Sequence, residues 1–357
     1  METATVWRLV YTPLFPSVRS VSRSPYNGDS RISVMPLWLT ESDVRAVLSM
    51  GELIDAMEAA LASLSAGHVV QPLRTAFEIG ERCFFALMPA FDRPRSILGA
   101  KLVSVVPPNA ARGLPTHQAA ISLFDPDSGS LAAVMDGRYI TEVRTAAASA
   151  VSVRHLARAD ASVLAILGSG VQARSHLEAL SHVRTFTEVR AWSPTPAHLE
   201  RFAAESGPRV RAASSAADAL RGADVVVVAT NSITPAIDSA WVDRGAHVVA
   251  IGACRPSHQE VDPALVARAL LVVDSREAAL REAGDIILPM REDRFGEDHI
   301  HAELGEIVSG SKAGRRGDSE VTLFKSLGLA IEDLVAADLT FRRACECGRG
   351  LRLTLSD

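Results

Sequence analysis

The sequence predicts an α/β fold, a doubly wound parallel sheet joined to an α+β region. Three observations predict it. Between residues 162 and 274, short apolar runs alternate with helical segments at βαβ spacing. Between residues 73 and 135, β-rich runs follow one another instead, and Asp125-Pro126-Asp127-Ser128-Gly129 is a strong hairpin turn between the last two. The chain has 357 residues and is 48% hydrophobic, which is enough material for more than one core.

Residues 1–34 carry Arg8, Arg19, Arg23 and Arg31, and their apolar stretch is broken by Pro13 and Pro16. They lack the continuous apolar centre of a secretory signal. They read as a disordered extension, or as an upstream start with Met35 as the natural one; a transit peptide is a third option. Residues 40–67 read as helical, with Thr40 or Ser42 capping the first turn. Ser49-Met50-Gly51-Glu52 matches a capping box for a second helix, with Leu53, Ile54, Met57, Leu61 and Leu64 on one face. The β-rich runs then cover 73–79, 83–87, 97–106, 119–124 and 131–135, and suggest a largely antiparallel sheet. An Ala-rich helix over 141–157 leads out. Strands over 162–167, 188–192, 210–212, 224–229, 247–251 and 270–274 alternate with helices over 171–182, 197–205 and 216–221. A run over 321–324 and a helix over 328–337 close the fold. Residues 310–318 read as a solvated loop, and 342–357 show no clear period.

The formal net charge is −5, so no basic excess favours nucleic acid or an anionic membrane. No uninterrupted apolar run is long enough to span a bilayer, which predicts a soluble protein. Cys83, Cys254, Cys345 and Cys347 form no CxxC pair and no disulfide framework; a reducing cytoplasm fits best. No metal site is expected, because Cys345 and Cys347 have no His or Cys partners at a suitable spacing. No Ser-His-Asp arrangement, Walker A loop or HExxH motif points to a hydrolase, a nucleoside triphosphatase or a zinc protease.

The apolar run 163–167 leads straight into Gly168-Ser169-Gly170-Val171-Gln172-Ala173, and a helix begins at about Val171. Gly168 permits the tight turn, Gly170 lets the backbone approach a pyrophosphate, and Ala173 keeps the helix close to the sheet. The helix start offers free N–H groups and the positive end of its dipole to phosphates. This predicts a Rossmann dinucleotide site with Gly168, Ser169, Gly170, Val171 and Gln172 in contact with the cofactor. The second strand ends Ala191-Trp192-Ser193-Pro194-Thr195, without the Asp or Glu that bonds the ribose 2′-hydroxyl of NAD. Ser193 and Thr195 suit a 2′-phosphate, which favours NADP over NAD. Turn capping beside Pro194 and Pro196 is the competing role for both hydroxyls. Thr230, after the strand over 224–229, joins the cofactor set.

Several segments resemble the ornithine cyclodeaminase/mu-crystallin family: Gln71-Pro72-Leu73-Arg74-Thr75, Met88-Pro89-Ala90, Lys101-Leu102-Val103, His117-Gln118-Ala119, Ala133 to Gly137, Arg144-Thr145-Ala146-Ala147, Leu167 to Ala173, Val273 to Ala278, Ala302 to Glu306 and Phe324 to Gly328. They follow family order over roughly residues 37–340. The resemblance implies a homodimer, a substrate and dimerisation domain over 35–145 joined by 326–357, and a Rossmann domain over 146–325. It implies that Arg74, Lys101 and Arg144 hold the carboxylate of an amino or imino acid. Physical reasoning agrees. Arg74 and Lys101 fall in apolar runs read as strands, Arg144 lies on an Ala-rich helix, and buried cations need anionic partners. Internal salt bridges are the competing role for each residue taken alone. The resemblance also places Met88, Lys325, Ser326 and Leu327 near a nicotinamide.

Cyclodeaminases of the family carry an acidic residue after the strand over 247–251. Here the stretch is Gly252-Ala253-Cys254-Arg255-Pro256, with Cys254 where the acid would be. A thiol does not replace a carboxylate. The stretch is closer to the mu-crystallin, ketimine-reductase branch, and Cys254 reads as a small core residue. The expected reaction is therefore hydride transfer from NAD(P)H to the C=N carbon of a cyclic imino acid, with 1-pyrroline-2-carboxylate or 1-piperideine-2-carboxylate as substrate. Lys101 is the first candidate for protonating the imine and His117 the second, with Glu303 and Asp285 behind them. Ornithine or lysine cyclodeamination, alanine or opine dehydrogenation, and binding of a thyroid-hormone-like ligand are the alternatives.

Overall fold

The computed structural model describes residues 35–353, so the expectations for residues 1–34 lie outside the described residues. The chain opens with β1 (Leu37–Leu39), α1 (Glu41–Val47) and α2 (Met50–Ser65). Then come β2 (Val69–Val70), β3 (Thr75–Gly80), β4 (Cys83–Asp92), β5 (Ile97–Val105), β6 (His117–Phe124), β7 (Leu131–Asp136) and the long helix α3 (Arg138–Leu156). Thr40 caps α1 in a reciprocal box with Asp43. The box expected at Ser49 does not form: Ser49 makes no side-chain cap, and Glu52 pairs with Arg343 instead.

The βαβ half contains β8 (Val163–Leu167), α4 (Val171–Ser181), β9 (Glu188–Trp192), α5 (Pro196–Glu205), β10 (Val210–Ala212), α6 (Ala216–Leu220) and β11 (Val225–Val228). It continues through β12 (His247–Ala250), α7 (Pro263–Arg268), β13 (Leu270–Val273), α8 (Arg276–Glu282) and α9 (Gly284–Arg291). β14 (Ile300–Glu303), α10 (Leu304–Val308) and β15 (Thr322–Lys325) complete it. The chain then returns through α11 (Ala330–Glu346) to β16 (Leu351–Arg352). The final segment is thus more ordered than its sequence suggests. α11 runs nine residues beyond the expected end at Ala337, and β16 pairs antiparallel with β1.

Two sheets result. The first has the order β16-β1-β7-β6-β5-β4-β2, with β3 also on β4; only the β1–β7 pair is parallel. α11 lies along β4, β5 and β6 on its inner face. The second is parallel throughout, in the order β10-β9-β8-β11-β12-β15-β13-β14. Its inner strands β11, β12, β13 and β15 are buried on both faces, and most of them read as continuous apolar runs such as Val225–Val228. Strand order reverses between β8 and β11, which opens a crevice at their carboxyl ends. α3 packs on both α4 and β12. Ser149 on α3 hydrogen-bonds His176 at 2.9 Å, and Ser152 hydrogen-bonds His247 at 3.0 Å. Burial holds both imidazoles well below their usual range, so they are neutral struts. Among the described residues, no helix is long and apolar enough to cross a membrane, and no cluster of three potential metal ligands occurs.

Candidate active site

The glycine turn forms at the carboxyl end of β8. Gly168 has φ +126°, and an added Cβ would lie 2.4 Å from the Ala229 carbonyl oxygen, so the fold itself demands glycine there. Gly170 differs. Its φ is −85°, and an added Cβ would meet nothing within 4 Å. Neither strain nor packing explains its missing side chain, and the open space beside it leaves room for a close-lying ligand. α4 begins at Val171 with no side-chain cap, so its first amides are free for an anion. The Gln172 side-chain oxygen is buried without a hydrogen-bond partner. Ser169 donates to Ser193 at 3.0 Å, tying the turn to the end of β9. Thr195 precedes α5 but makes no side-chain cap, so its exposed hydroxyl is not used in turn capping. These residues fit a dinucleotide.

Other expected cofactor contacts are engaged elsewhere. The Thr230 hydroxyl donates to Glu260 at 3.2 Å. The Ser326 hydroxyl is buried and donates to Asp274 at 3.2 Å; the same Asp274 oxygen accepts the Leu327 and Gly328 amides at 2.5 and 2.8 Å. Asp274 thereby shapes the loop leaving β15. Lys325 is an internal cation between Asp285 at 2.8 Å and Glu260 at 3.4 Å, which hold its proton firmly against the cost of burial. Asp285 also accepts the Glu260 and Val261 amides, and Glu303 bonds Ser65 and the Arg276 amide. Both carboxylates are thus engaged by internal partners.

The three expected carboxylate ligands meet beside that loop. Arg74 precedes β3 rather than lying within a strand. This lets it reach across to the Leu327 and Gly328 carbonyls, both at 3.1 Å, and to Glu282 at 2.8 Å. Lys101, on β5, is buried against Asp333 and lies 3.4 Å from the Thr141 hydroxyl. Arg144, on α3, pairs with Asp333 at 2.9 Å and Glu332 at 2.6 Å. The internal salt bridges named as the competing role are therefore real: Asp333 joins Lys101 to Arg144, and Glu282 holds Arg74 separately. Met88 stands opposite Lys101 in the β4–β5 register. It helps line a narrow cleft with Leu73, Arg74, Glu282, Gly328 and Leu329.

Electrostatics separates the candidates. Burial, reinforced by Arg144 and opposed by Asp333, brings Lys101 down to about 8. It is still charged at neutral pH, yet its proton is easier to give up. His117, at the start of β6, is brought down to about 4 by burial and the nearby Lys101 and Arg144, so it is neutral near pH 7 and not an acid there. Burial raises the Cys254 thiol, which disfavours a thiolate nucleophile.

The sequence reading missed Glu282, Asp274, Glu332 and Asp333. A signal existed for the last two: adjacent acids set between Ala330-Ile331 and Leu334-Val335 are an expensive place for charge.

The family model described as the ornithine cyclodeaminase/mu-crystallin family matches residues 34–347. Ketimine reductase mu-crystallin from Rattus norvegicus is 44% identical over 311 residues, covering 86% of this chain and 96% of the rat protein. The structure of Thermococcus litoralis Δ1-pyrroline-2-carboxylate reductase in complex with NADH and L-proline superposes with a TM-score of 0.86 at 39% identity, covering 89% of this chain and all of that one. An archaeal alanine dehydrogenase dimer with bound NAD superposes equally, with a TM-score of 0.86 at 34% identity, covering 90% of this chain and 99% of that one.

Proposed function

The chain belongs to the ornithine cyclodeaminase/mu-crystallin family, and from that premise we propose that it reduces cyclic imino acids with NAD(P)H, 1-pyrroline-2-carboxylate to proline or 1-piperideine-2-carboxylate to pipecolate. One observation carries the reading: a glycine turn with uncapped helix amides lies at the carboxyl end of β8, and the buried Lys101 and Arg144, with the half-buried Arg74, lie beside the loop leaving β15 of the same parallel sheet.

The chemistry needs a hydride at carbon and a proton at nitrogen. The nicotinamide, when bound, supplies the hydride. The Ser169–Gln172 amides, with Ser193 and Thr195, hold the dinucleotide; Met88 and Leu327 are apolar walls on the nicotinamide side. Arg74 and Arg144 hold the substrate carboxylate through N–H forks kept in place by their acids. Lys101 carries the proton at Nζ and is oriented toward the ring by Asp333 and Thr141. His117 is a neutral hydrogen-bonding wall of the pocket. No carboxylate stands at Cys254 to handle a substrate amine, which argues against cyclodeamination.

Two finer points belong to the same reading. The nucleotide is NADPH in preference to NADH, because β9 ends at Trp192 and the turn after it, Ser193-Pro194-Thr195, has no acid to repel a 2′-phosphate. The protein is a homodimer. The outer face of the first sheet exposes Phe77, Leu87 and Leu102, with Leu87 directly opposite Leu102 in the register and Leu102 opposite Ala120. An apolar stripe of this kind on a sheet face fits a partner.

The test is a spectrophotometric assay of NADPH and NADH oxidation against both cyclic imines. Turnover of either imine, with higher kcat/KM for NADPH, is expected. Ammonia release from ornithine without net nucleotide oxidation, and no imine reduction, would overturn the reading.

A further inference from the structure

Arg74 lines the candidate cleft, and two more cations lie buried behind its wall, Lys101 opposite Met88 and Arg144 against Gly328. Their salt-bridge partners are three acids, Glu282, Glu332 and Asp333. Asp274, fully buried behind the loop after β15, adds a fourth acid within electrostatic reach. The cluster is already balanced, or slightly negative, before a substrate carboxylate arrives. A further full negative charge in a buried site is costly unless something neutralises it.

The acids differ in what holds their second oxygen. Asp333 uses both oxygens, one on Arg144 and one on Lys101. Glu282 lies at the cleft wall with its side chain 16% accessible. Glu332 is fully buried. One oxygen accepts Arg144 at 2.6 Å and the Leu329 amide at 3.3 Å; the other oxygen, Oε1, has no hydrogen-bond partner. An ionised carboxylate wants several donors, and a buried lone oxygen is where a proton is least resisted.

We propose that Glu332 takes up a proton when the carboxylate substrate binds, freeing part of the Arg144 charge to hold the incoming carboxylate. Glu332 is thus a positioning residue, acting through Arg144. The proposal rests on the reading of Arg74, Lys101 and Arg144 as the carboxylate clasp. The groups facing Glu332 are Arg144 from α3, Asp274 from the end of β13, and Leu329 and Asp333 from α11; Lys101 from β5 acts through Asp333. Burial raises the Glu332 carboxyl to about 7; Arg144 and the Leu329 amide oppose the rise, and Asp274 and Asp333 add to it. A new negative charge raises it further, so at neutral pH binding draws a proton from solvent. Solvent supplies this proton and receives it back on release; no bond in the substrate changes.

The experiment uses the full chain saturated with NADPH and pyrrole-2-carboxylate as the probe, a planar ring carboxylate with no titrating amine. Calorimetry at pH 7.5 in buffers of different ionisation enthalpy should show uptake of more than half a proton per ligand. The apparent Kd should weaken about tenfold from pH 7 to pH 8, with Lys101 contributing less than about twofold. Glu332→Gln keeps the hydrogen bond to Arg144 and removes the titration. It should abolish most of the uptake and flatten the Kd profile to less than about twofold. The neutral amide of the same ring serves as a second probe on the wild type and should bind without uptake. Carboxylate binding without proton uptake, or uptake kept in Glu332→Gln, or equal uptake with the amide, would overturn the inference and leave the clasp standing. Failure of the wild type to bind the carboxylate at all would remove the clasp and the inference with it.

Discussion

Lys101 shows how one side chain acquires a task from its surroundings. A lysine in water keeps its proton far above neutral pH and is a poor donor there. Burial between β5 and α11 costs the charged form more than Asp333 returns, and the group settles at about 8. If Lys101 protonates the imine, kcat should hold steady at neutral pH and fall only above about 8, because the required form is the protonated one and a bound carboxylate holds that proton more firmly than the ligand-free site does. Lys101→Met should lower kcat by a factor of about 10² to 10⁴ and erase that alkaline limb. Rate measurements from pH 6 to 9.5 check both. A profile unchanged in shape would assign the proton to another donor.

At the scale of elements, the turn between β8 and α4 separates two uses of glycine. Gly168 answers to the fold, since its backbone is left-handed and the Ala229 carbonyl blocks a side chain. Gly168→Ala should lower the Tm clearly, at a cost of about 1–3 kcal/mol for the strained conformation. Gly170 meets no such demand, and the proposed nucleotide is what would require it. Gly170→Val should leave the Tm nearly unchanged and weaken NADPH binding by about tenfold or more, roughly 1.4 kcal/mol. Thermal melts and fluorescence titration of NADPH read the two effects separately. Equal NADPH affinity in Gly170→Val would remove the pyrophosphate from this turn.

For the whole molecule, the outer face of the first sheet is the surface on which the proposed dimer would form. α11 covers the inner face, whereas Phe77, Leu87 and Leu102 stand in water in the single chain. Burying such a stripe between two copies removes apolar surface at about 25 cal/mol per Å². Leu102→Lys places a charge at its centre and should convert the dimer to a monomer, as read by light scattering behind size exclusion. A wild type that runs as a monomer at micromolar concentration would refute the assembly.

The sequence by itself determined the parallel sheet and the place of the nucleotide turn. Both depend on local signals. Strands buried on both faces are continuous apolar runs, and a Gly-x-Gly turn between such a run and a helix follows from a few adjacent residues. The cations Arg74, Lys101 and Arg144 were also legible, through motifs in fixed order. The tertiary structure alone decided what those cations face. Asp333 lies 189 residues from Arg144 and 232 from Lys101, and Glu282 lies 208 from Arg74, so no sequence window contains both members of any of these pairs. The same reason hid the role of Ser326, whose hydroxyl a distant Asp274 claims, and the partner of Glu52, which is the distant Arg343. Local periodicity reports which face of an element is buried; which charge it is buried against depends on how elements far apart in the chain pack together.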